Sequence, residues 1–166
     1  MRVFLSFVMI LFVVGPSFSM GLDFSLKDLS GKMVSLSDLL ESGPVVLDFW
    51  ATWCGPCVKE LPHIQSLHEE FSHKGITIVG ISEDGTKTVS KVKPFVKTRR
   101  YTFPVLLDTN QKVMRMFKIS SIPYVCIIDT TGELYYSHLG YKPGDEKELR
   151  NKILKLLGED HQEHEE

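Results

Sequence analysis

The sequence predicts an α/β fold, with a central mixed β-sheet and helices on both of its faces. Two near-continuous apolar runs, residues 44–51 and 75–82, have the composition of strands that are covered on both sides. A segment with apolar residues at spacings of three and four follows the first run, as in an amphipathic helix. Two more strand patterns, 124–129 and 132–140, meet at Thr131-Gly132 and predict a hairpin at the end of the sheet.

The remaining elements follow in chain order. The sequence predicts short strands that turn at Ser30-Gly31, a helical turn near 36–41, a helix over about 55–73, a basic helix over 86–101, a strand over 103–108, a helix over 110–119 and a last helix over 145–158. In the last helix, Asp145 is the expected N-cap and Gly158 the expected stop. We expect one domain, residues 20–158, and a disordered acidic tail, residues 159–166.

The first 19 residues have the pattern of a secretory signal peptide. Arg2 supplies the early positive charge, residues 3–14 form a short apolar run, and Ser17 and Ser19 fit the small-residue positions before a cleavage site. We therefore expect cleavage after Ser19 and a periplasmic or otherwise extracytoplasmic protein. An uncleaved membrane anchor is the alternative, although the run is shorter than the roughly 20 apolar residues of a spanning helix.

Composition and charge narrow the class of function. The chain has 166 residues, a net charge of −2 and a pI near 6.3, so no basic face for nucleic acid is indicated. It has three cysteines, too few for a disulfide scaffold in a domain of this size. Outside the cytosol, disulfides form and persist. One close pair, Cys54 and Cys57, together with one odd cysteine indicates that the pair has a role other than stabilising the fold.

The spacing of this pair places it where a buried strand passes into a helix. Cys54 is expected near the helix N-terminus, where unpaired backbone N–H groups and the helix dipole stabilise a thiolate. Cys57 is expected in the first turn and less exposed, so Cys54 is the predicted attacking thiol and Cys57 the resolving one. Gly55-Pro56 shapes the turn, because proline suits a position that needs no backbone N–H.

The cysteines have two alternative roles, in a metal site or in a structural disulfide. A structural zinc site needs about four ligands, and the chain has no second C-x-x-C pair, while its helical histidines recur every five residues. A purely structural disulfide would close a very small loop and would stabilise the fold little. We therefore expect no metal and no cofactor.

The stretch "DFWATWCGPC" resembles the active-site motif of the thioredoxin superfamily. Over about residues 22–157 the chain is similar to the exported TlpA/ResA-like branch. Pro62 and the segment "SSIPYV" extend the superfamily resemblance. Two features point to the TlpA/ResA branch: "CVKELP" after the motif, and an added helix and strand over about residues 83–108.

The resemblance implies roles for residues around the cysteine pair. Cys54 and Cys57 would form the redox disulfide, with Trp53 beside the exposed sulfur. Gly55 and Pro56, together with Ile122-Pro123, would belong to the substrate-binding surface. Pro123 would be the family's cis-proline, and the backbone of Ile122 would bind an extended substrate chain.

Two acidic residues would serve the chemistry. Asp48 matches the buried acid of thioredoxins, and burial is expected to raise its pKa, which suits proton exchange with Cys57. Glu60, three residues after Cys57, matches an acid of ResA-like proteins, although a solvated helix-surface charge is an equal alternative from the sequence. Cys126 is expected to be a buried apolar residue.

The leading prediction is an extracytoplasmic thiol–disulfide oxidoreductase that reduces protein disulfides, with cytochrome c maturation as a role found in this branch. A membrane thiol donor would re-reduce the protein, which we expect to be a monomer. The alternatives are a disulfide oxidase or isomerase, a peroxiredoxin-like antioxidant enzyme and a copper-handing binding module. The peroxidase motif would need Thr three residues before the reactive cysteine, where this chain has Ala51.

Overall fold

The two apolar runs form the centre of the sheet. In the computed structural model, which describes residues 23–159, they are strands β3 (Val45–Trp50) and β4 (Thr77–Ser82), and every residue of β3 is buried. The two strands pair in parallel over six residues. Chain covered on both sides has no solvent-facing position to fill, which explains the unbroken apolar sequence.

Seven strands form one mixed sheet in the order β2-β1-β5-β4-β3-β6-β7. The strands are β1 (Ser25–Asp28), β2 (Met33–Ser35), β3, β4, β5 (Val105–Leu107), β6 (Tyr124–Ile128) and β7 (Leu134–Leu139). The helices are α1 (Leu36–Leu40), α2 (Gly55–Phe71), α3 (Val92–Arg99), α4 (Lys112–Met116) and α5 (Asp145–Leu156). Pairings β3–β4 and β4–β5 are parallel and the other four are antiparallel. The predicted α/β fold with a mixed sheet is confirmed.

The sheet separates two apolar cores. One core joins Val46 and Trp50 of β3 to buried residues of α2, α3 and α5. The other joins Leu47 and Phe49 to buried residues of α1 and α4. Because side chains alternate along a strand, Asp48 points with Val46 and Trp50 toward the α2 side.

Aromatic side chains pack closely against the backbone of β4 at Gly80. A Cβ atom at Gly80 would lie 2.8 Å from the indole nitrogen of Trp50 and 2.9 Å from the ring of Phe103. Glycine at this position therefore lets two aromatic side chains pack directly against the backbone of β4.

Three helices differ from the sequence prediction at their ends. The basic segment holds a 3₁₀ turn (Val89–Lys91) and then α3, which begins so that Pro94 lies in its first turn, where no backbone N–H is needed. The helix predicted over 110–119 is the shorter α4. The carboxylate of Asp108 accepts the N–H groups of Lys112, Val113 and Met114 at 2.8–3.0 Å and so fixes where α4 begins.

The predicted N-cap of the last helix was wrong. The N-cap is Gly144, with φ at 109°, and no side chain caps this end. Asp145 is instead the first helical residue, and its Oδ2 accepts the N–H of Lys142 at 2.7 Å and lies 3.0 Å from Nε2 of His138. Gly158, with φ at 71°, follows the end of the helix as predicted.

Parts of the predicted domain plan lie outside the described residues, namely the signal peptide with its cleavage after Ser19 and residues 160–166 of the tail. Glu159 is described, and its carboxylate lies 2.6 Å from Nζ of Lys74. Between residues 23 and 159, no helix is both long and apolar enough to cross a membrane.

Candidate active site

The cysteine pair lies where β3 ends and α2 begins. Cys54 is the N-cap of α2, with extended backbone (φ −86°, ψ 103°), and Cys57 lies in the first turn. The two sulfurs are joined in a disulfide. Cys54 is 6% exposed and Cys57 only 1%, so Cys57 is the less exposed residue of the pair, as predicted.

The first turn of α2 favours negative charge on Cys54. The backbone N–H of Cys57 points to the sulfur of Cys54 at 3.3 Å. α2 is 17 residues long, its first turn contains no acidic residue, and Pro56 occupies a position where its missing N–H is not needed. A thiolate on Cys54 would therefore receive a direct N–H donor and the positive end of the helix dipole.

The carboxyl groups of Asp48 and Glu60 are both buried on the α2 side of the sheet. Asp48 lies on β3, and Glu60 lies on α2, one turn after Cys57. Asp48 is fully buried and Glu60 is 5% exposed, so the solvated-surface alternative for Glu60 was wrong. Neither oxygen of Asp48 has a hydrogen-bond partner, and neither has Oε2 of Glu60. Burial raises the pKa of both groups, and the charge of Asp48 raises the pKa of Glu60 further. The two carboxyls therefore behave as one coupled pair that keeps a proton more readily than free acids do.

A hydrogen-bond network that the sequence did not reveal holds the loop before Cys54. The N–H and Oγ1 of Thr52 donate to the two carboxylate oxygens of Asp84 at 2.8 and 2.6 Å. Asp84 is fully buried just beyond β4, and Oγ of Ser82 donates to it at 3.1 Å. The network ties the cysteine loop to the neighbouring strand, and only the spatial adjacency of β3 and β4 could have revealed it.

The predicted substrate-binding residues meet at the same end of the sheet. Trp53 is 59% exposed beside Cys54. The Ile122-Pro123 peptide bond is cis, as predicted, and it directly precedes β6, whose first residue, Tyr124, pairs with Phe49 near the end of β3. Because β6 runs antiparallel to β3, the start of β6 lies beside the end of β3, and the proline loop and the cysteine loop are at the same end of the sheet.

Cys126 lies on the other face of the sheet. It is fully buried opposite Leu47, within the core that contains α1 and α4, and its thiol is free. Burial raises the pKa of this thiol far above its ordinary value. Its place in the core agrees with the predicted role as a small apolar residue.

Another buried acid, besides Asp48 and Glu60, was not among the residues predicted from the sequence. Glu83 follows β4 and is 2% exposed, and neither of its carboxylate oxygens has a hydrogen-bond partner. Burial raises its pKa to about 8, the charge of Asp108 adds to the increase, and Arg115 opposes it. Within residues 23–159, no three His, Cys, Asp or Glu side chains are grouped as ligands for a metal ion.

Comparison with known proteins places this geometry among redox proteins. Residues 20–137 match the model of the AhpC/TSA family. A thiol-disulfide oxidoreductase ResA from Oceanobacillus iheyensis is 43% identical over 116 residues, covering 68% of this chain and 59% of that protein. A ResA from Bacillus cereus is 34% identical over 126 residues, covering 76% of this chain and 71% of that protein.

A solved structure shows the same fold. It is that of a candidate thiol:disulfide interchange protein DsbE from Chlorobium tepidum, which superimposes with a TM-score of 0.75 at 30% identity. The match covers 82% of this chain and 94% of that one. The matched segment thus spans nearly all of a solved relative, but less than two thirds of the Oceanobacillus protein.

Proposed function

The chain belongs to the AhpC/TSA family of thioredoxin-like proteins, whose model matches residues 20–137, and from that premise we propose that it is a thiol–disulfide oxidoreductase that reduces disulfide bonds in proteins. The observation that carries the proposal is the position of Cys54. Its sulfur caps a long helix, accepts the N–H of Cys57 and is the more exposed of the pair. The relatives named ResA are thiol-disulfide oxidoreductases by name, which supports the same class of reaction.

The reaction starts from the dithiol form. The Cys54 thiolate attacks one sulfur of a substrate disulfide, the substrate S–S bond breaks, and the first substrate thiolate leaves and takes up a proton. A mixed disulfide then joins Cys54 to the second substrate sulfur. Cys57 loses its proton and attacks the sulfur of Cys54, and the second substrate thiolate leaves and is protonated. The substrate gains two electrons and two protons, and the protein ends as the Cys54–Cys57 disulfide.

We assign the coupled carboxyls, Asp48 and Glu60, to the proton that leaves Cys57. Cys57 is buried, so water does not reach its thiol freely. A carboxyl whose pKa is raised by burial lies closer to that of a thiol and exchanges a proton with it more readily. In the reverse reaction, the same carboxyls return a proton to Cys57.

We place the protein outside the cytosol, on the secretory pattern of residues 1–19 and cleavage after Ser19. A membrane thiol donor would restore the dithiol, and the substrates would include proteins of cytochrome c maturation. We propose that the protein acts as a monomer with Trp53, Gly55, Pro56, Ile122 and Pro123 as its substrate-binding surface.

The test is reduction of a protein disulfide by the reduced protein, with insulin as the probe. We expect the wild type to reduce insulin when a dithiol recycles it, and Cys54→Ser to lose at least about 100-fold, because the attacking thiolate is gone. Cys57→Ser should instead accumulate a mixed disulfide on Cys54, visible by mass spectrometry.

The matched control is Cys126→Ala, which removes a cysteine from the opposite face of the sheet and should keep activity within about twofold. Full activity of the Cys54→Ser variant would overturn the proposal. Rapid peroxide consumption without insulin reduction would favour the peroxidase alternative. Faster reshuffling or formation of disulfides than reduction would favour the isomerase or oxidase alternative.

A further inference from the structure

A small pocket opens on the side of Glu60 that faces α5. It is lined by α2 residues Glu60, His63 and Ile64, by Val125, Tyr136 and His138 of the sheet, and by Asp145, Glu146 and Leu149 of α5. It opens to solvent and has room for about one water molecule. The carboxyl of Glu60 therefore lies beside a space that one water can occupy between α2, the sheet and α5.

The unpartnered oxygen of Glu60 is the polar group at the buried end. Glu60 is 5% exposed, and its Oε2 makes no hydrogen bond to any residue between 23 and 159. The pocket wall at this depth is otherwise apolar, with Ile64, Val125 and Leu149 all buried. A proton on Glu60 therefore has few protein groups to which it can pass directly.

A histidine–aspartate pair lies at the exposed end. Nε2 of His138 is 3.0 Å from Oδ2 of Asp145, and the two side chains are 31% and 26% exposed. The N–H of Lys142 also donates to Oδ2 of Asp145, at 2.7 Å, which fixes the carboxylate. His138 lies opposite Val125 in the β6–β7 pairing, so its ring is on the α2 and α5 side of the sheet.

We propose that this pocket is the route by which protons pass between the Asp48–Glu60 carboxyl pair and solvent, with His138, held by Asp145, as the proton-transfer group at its mouth. The inference rests on the proposed thiol–disulfide exchange at Cys54 and Cys57, but not on its direction. It adds a function for residues of β7 and α5, which are far from the W-C-G-P-C motif in the sequence.

The proton balance gives such a route a use. When Cys57 attacks Cys54, its proton passes to the carboxyl pair, where it either stays until re-reduction returns it to Cys57 or leaves to solvent through the pocket. Glu60 would release it through water in the pocket to the imidazole of His138, which then delivers it to bulk solvent. An imidazole suits this step because it takes up and gives off protons near neutral pH.

Other ionisable groups surround the pocket and contribute to the electrostatic potential at Glu60. The negative charges of Asp48 and Asp145 both raise the pKa of Glu60. Tyr141 donates to Glu146 at 3.2 Å beside the ring of His63. The ionisable groups that line the pocket beside Glu60 are His63 from α2, Tyr136 and His138 from β7, and Asp145 and Glu146 from α5. Asp48 of β3 and Tyr141 of the loop after β7 interact electrostatically with Glu60, and Glu148 and Lys152 of α5 contact Tyr136.

The test is the rate at which the reduced full-length protein is oxidised by glutathione disulfide, followed by tryptophan fluorescence. This probe reacts with the dithiol whether or not the protein reduces protein substrates, so it separates this inference from the proposed function. We expect His138→Ala to slow formation of the Cys54–Cys57 disulfide about 5–10-fold at pH 7 and to increase the solvent deuterium isotope effect. Added imidazole should restore most of the lost rate.

Asp145→Asn should show a smaller loss of the same kind and shift the pH profile to lower pH, because one negative charge near Glu60 is removed. The matched control is His68→Gln, a half-buried histidine of α2 that does not line the pocket, and it should react like the wild type. Thermal unfolding of each variant identifies any loss of fold, and His138→Gln, which preserves the side-chain hydrogen bond, replaces an unstable alanine variant. An unchanged rate and isotope effect, or a slower rate that imidazole does not rescue, would overturn the proposal.

Discussion

The buried carboxyl of Glu83 shows how one residue can make stability depend on pH. It has no hydrogen-bond partner, and its pKa is raised from 4.5 to about 8. The folded protein therefore binds this proton more tightly than the unfolded chain does. Below about pH 4.5 the group is neutral in both states, and as pH rises toward 8 the unfolded chain gains from ionisation that the folded protein resists.

We predict that Glu83→Gln makes the protein more stable at pH 8, by about 2–4 kcal/mol, and changes stability little at pH 4.5. The glutamine keeps the shape of the protonated acid and cannot ionise. Urea unfolding at the two pH values measures the difference, with the exposed Glu133→Gln as the control. Equal stabilities of Glu83→Gln and wild type at pH 8 would contradict a buried, protonated Glu83.

At the scale of elements, the β3–α2 unit carries the proposed chemistry. β3 contributes Asp48 on the face toward α2, and α2 contributes Cys57 and Glu60 from its first turns. The parallel neighbour β4 leads to Asp84, which holds Thr52 and with it the loop that leads to Cys54. One strand, one turn and one helix therefore place the proposed nucleophile, the proposed resolving thiol and two buried acids together.

We predict that Asp48→Asn slows the step in which Cys57 resolves the mixed disulfide by about tenfold or more at pH 7, because an amide cannot accept the proton of Cys57. The attack of Cys54 on the probe disulfide should change much less. Rapid mixing with glutathione disulfide, with acid quench and mass analysis, separates the two steps.

Asp28→Asn, at the end of β1, is the control for this experiment. If Asp48→Asn resolves the mixed disulfide within twofold of the wild-type rate, Asp48 does not handle this proton.

Much of the element order could be predicted from the sequence, because it depends on local pattern. The unbroken apolar run of β3 and the three-and-four spacing of α2 are properties of neighbouring residues. The ends of α3, α4 and α5 could not be predicted in the same way. The start of α4 depends on the hydrogen bond from the N–H of Val113 to Asp108, and the start of α5 on the contact between Asp145 and His138 of β7. These contacts exist only after the chain has folded.

Some residues of the candidate site could likewise be predicted from a local sequence pattern, and others could not. The W-C-G-P-C motif is contiguous and could be found in the sequence, as could the cis-proline segment through its resemblance to the family. The burial of Glu60 could not, because a charged residue on an amphipathic helix is usually solvated and only the packing of β7 and α5 covers it. The pocket with His138 and Asp145 combines three elements from separate parts of the chain, and no local pattern indicates it.

At the scale of the whole molecule, the sheet separates the redox side from a purely structural side. Cys54, Cys57, Asp48 and Glu60 lie with α2 and α5, and Cys126 lies in the core with α1 and α4. In the proposed reaction, Cys54 and Cys57 exchange electrons with a substrate, and this separation keeps Cys126 away from them. It also explains why replacing Cys126 serves as a control for the active-site variants.

The reduction potential of the Cys54–Cys57 pair determines whether the pair donates electrons to its substrates, as we propose. Equilibration of the purified protein with glutathione or dithiothreitol redox buffers, followed by mass analysis of the Cys126→Ala variant, gives the potential without interference from the third thiol. We predict a value near that of thioredoxin, about −270 mV, and well below about −200 mV. A value near about −120 mV, that of a dedicated disulfide oxidant, would contradict the account.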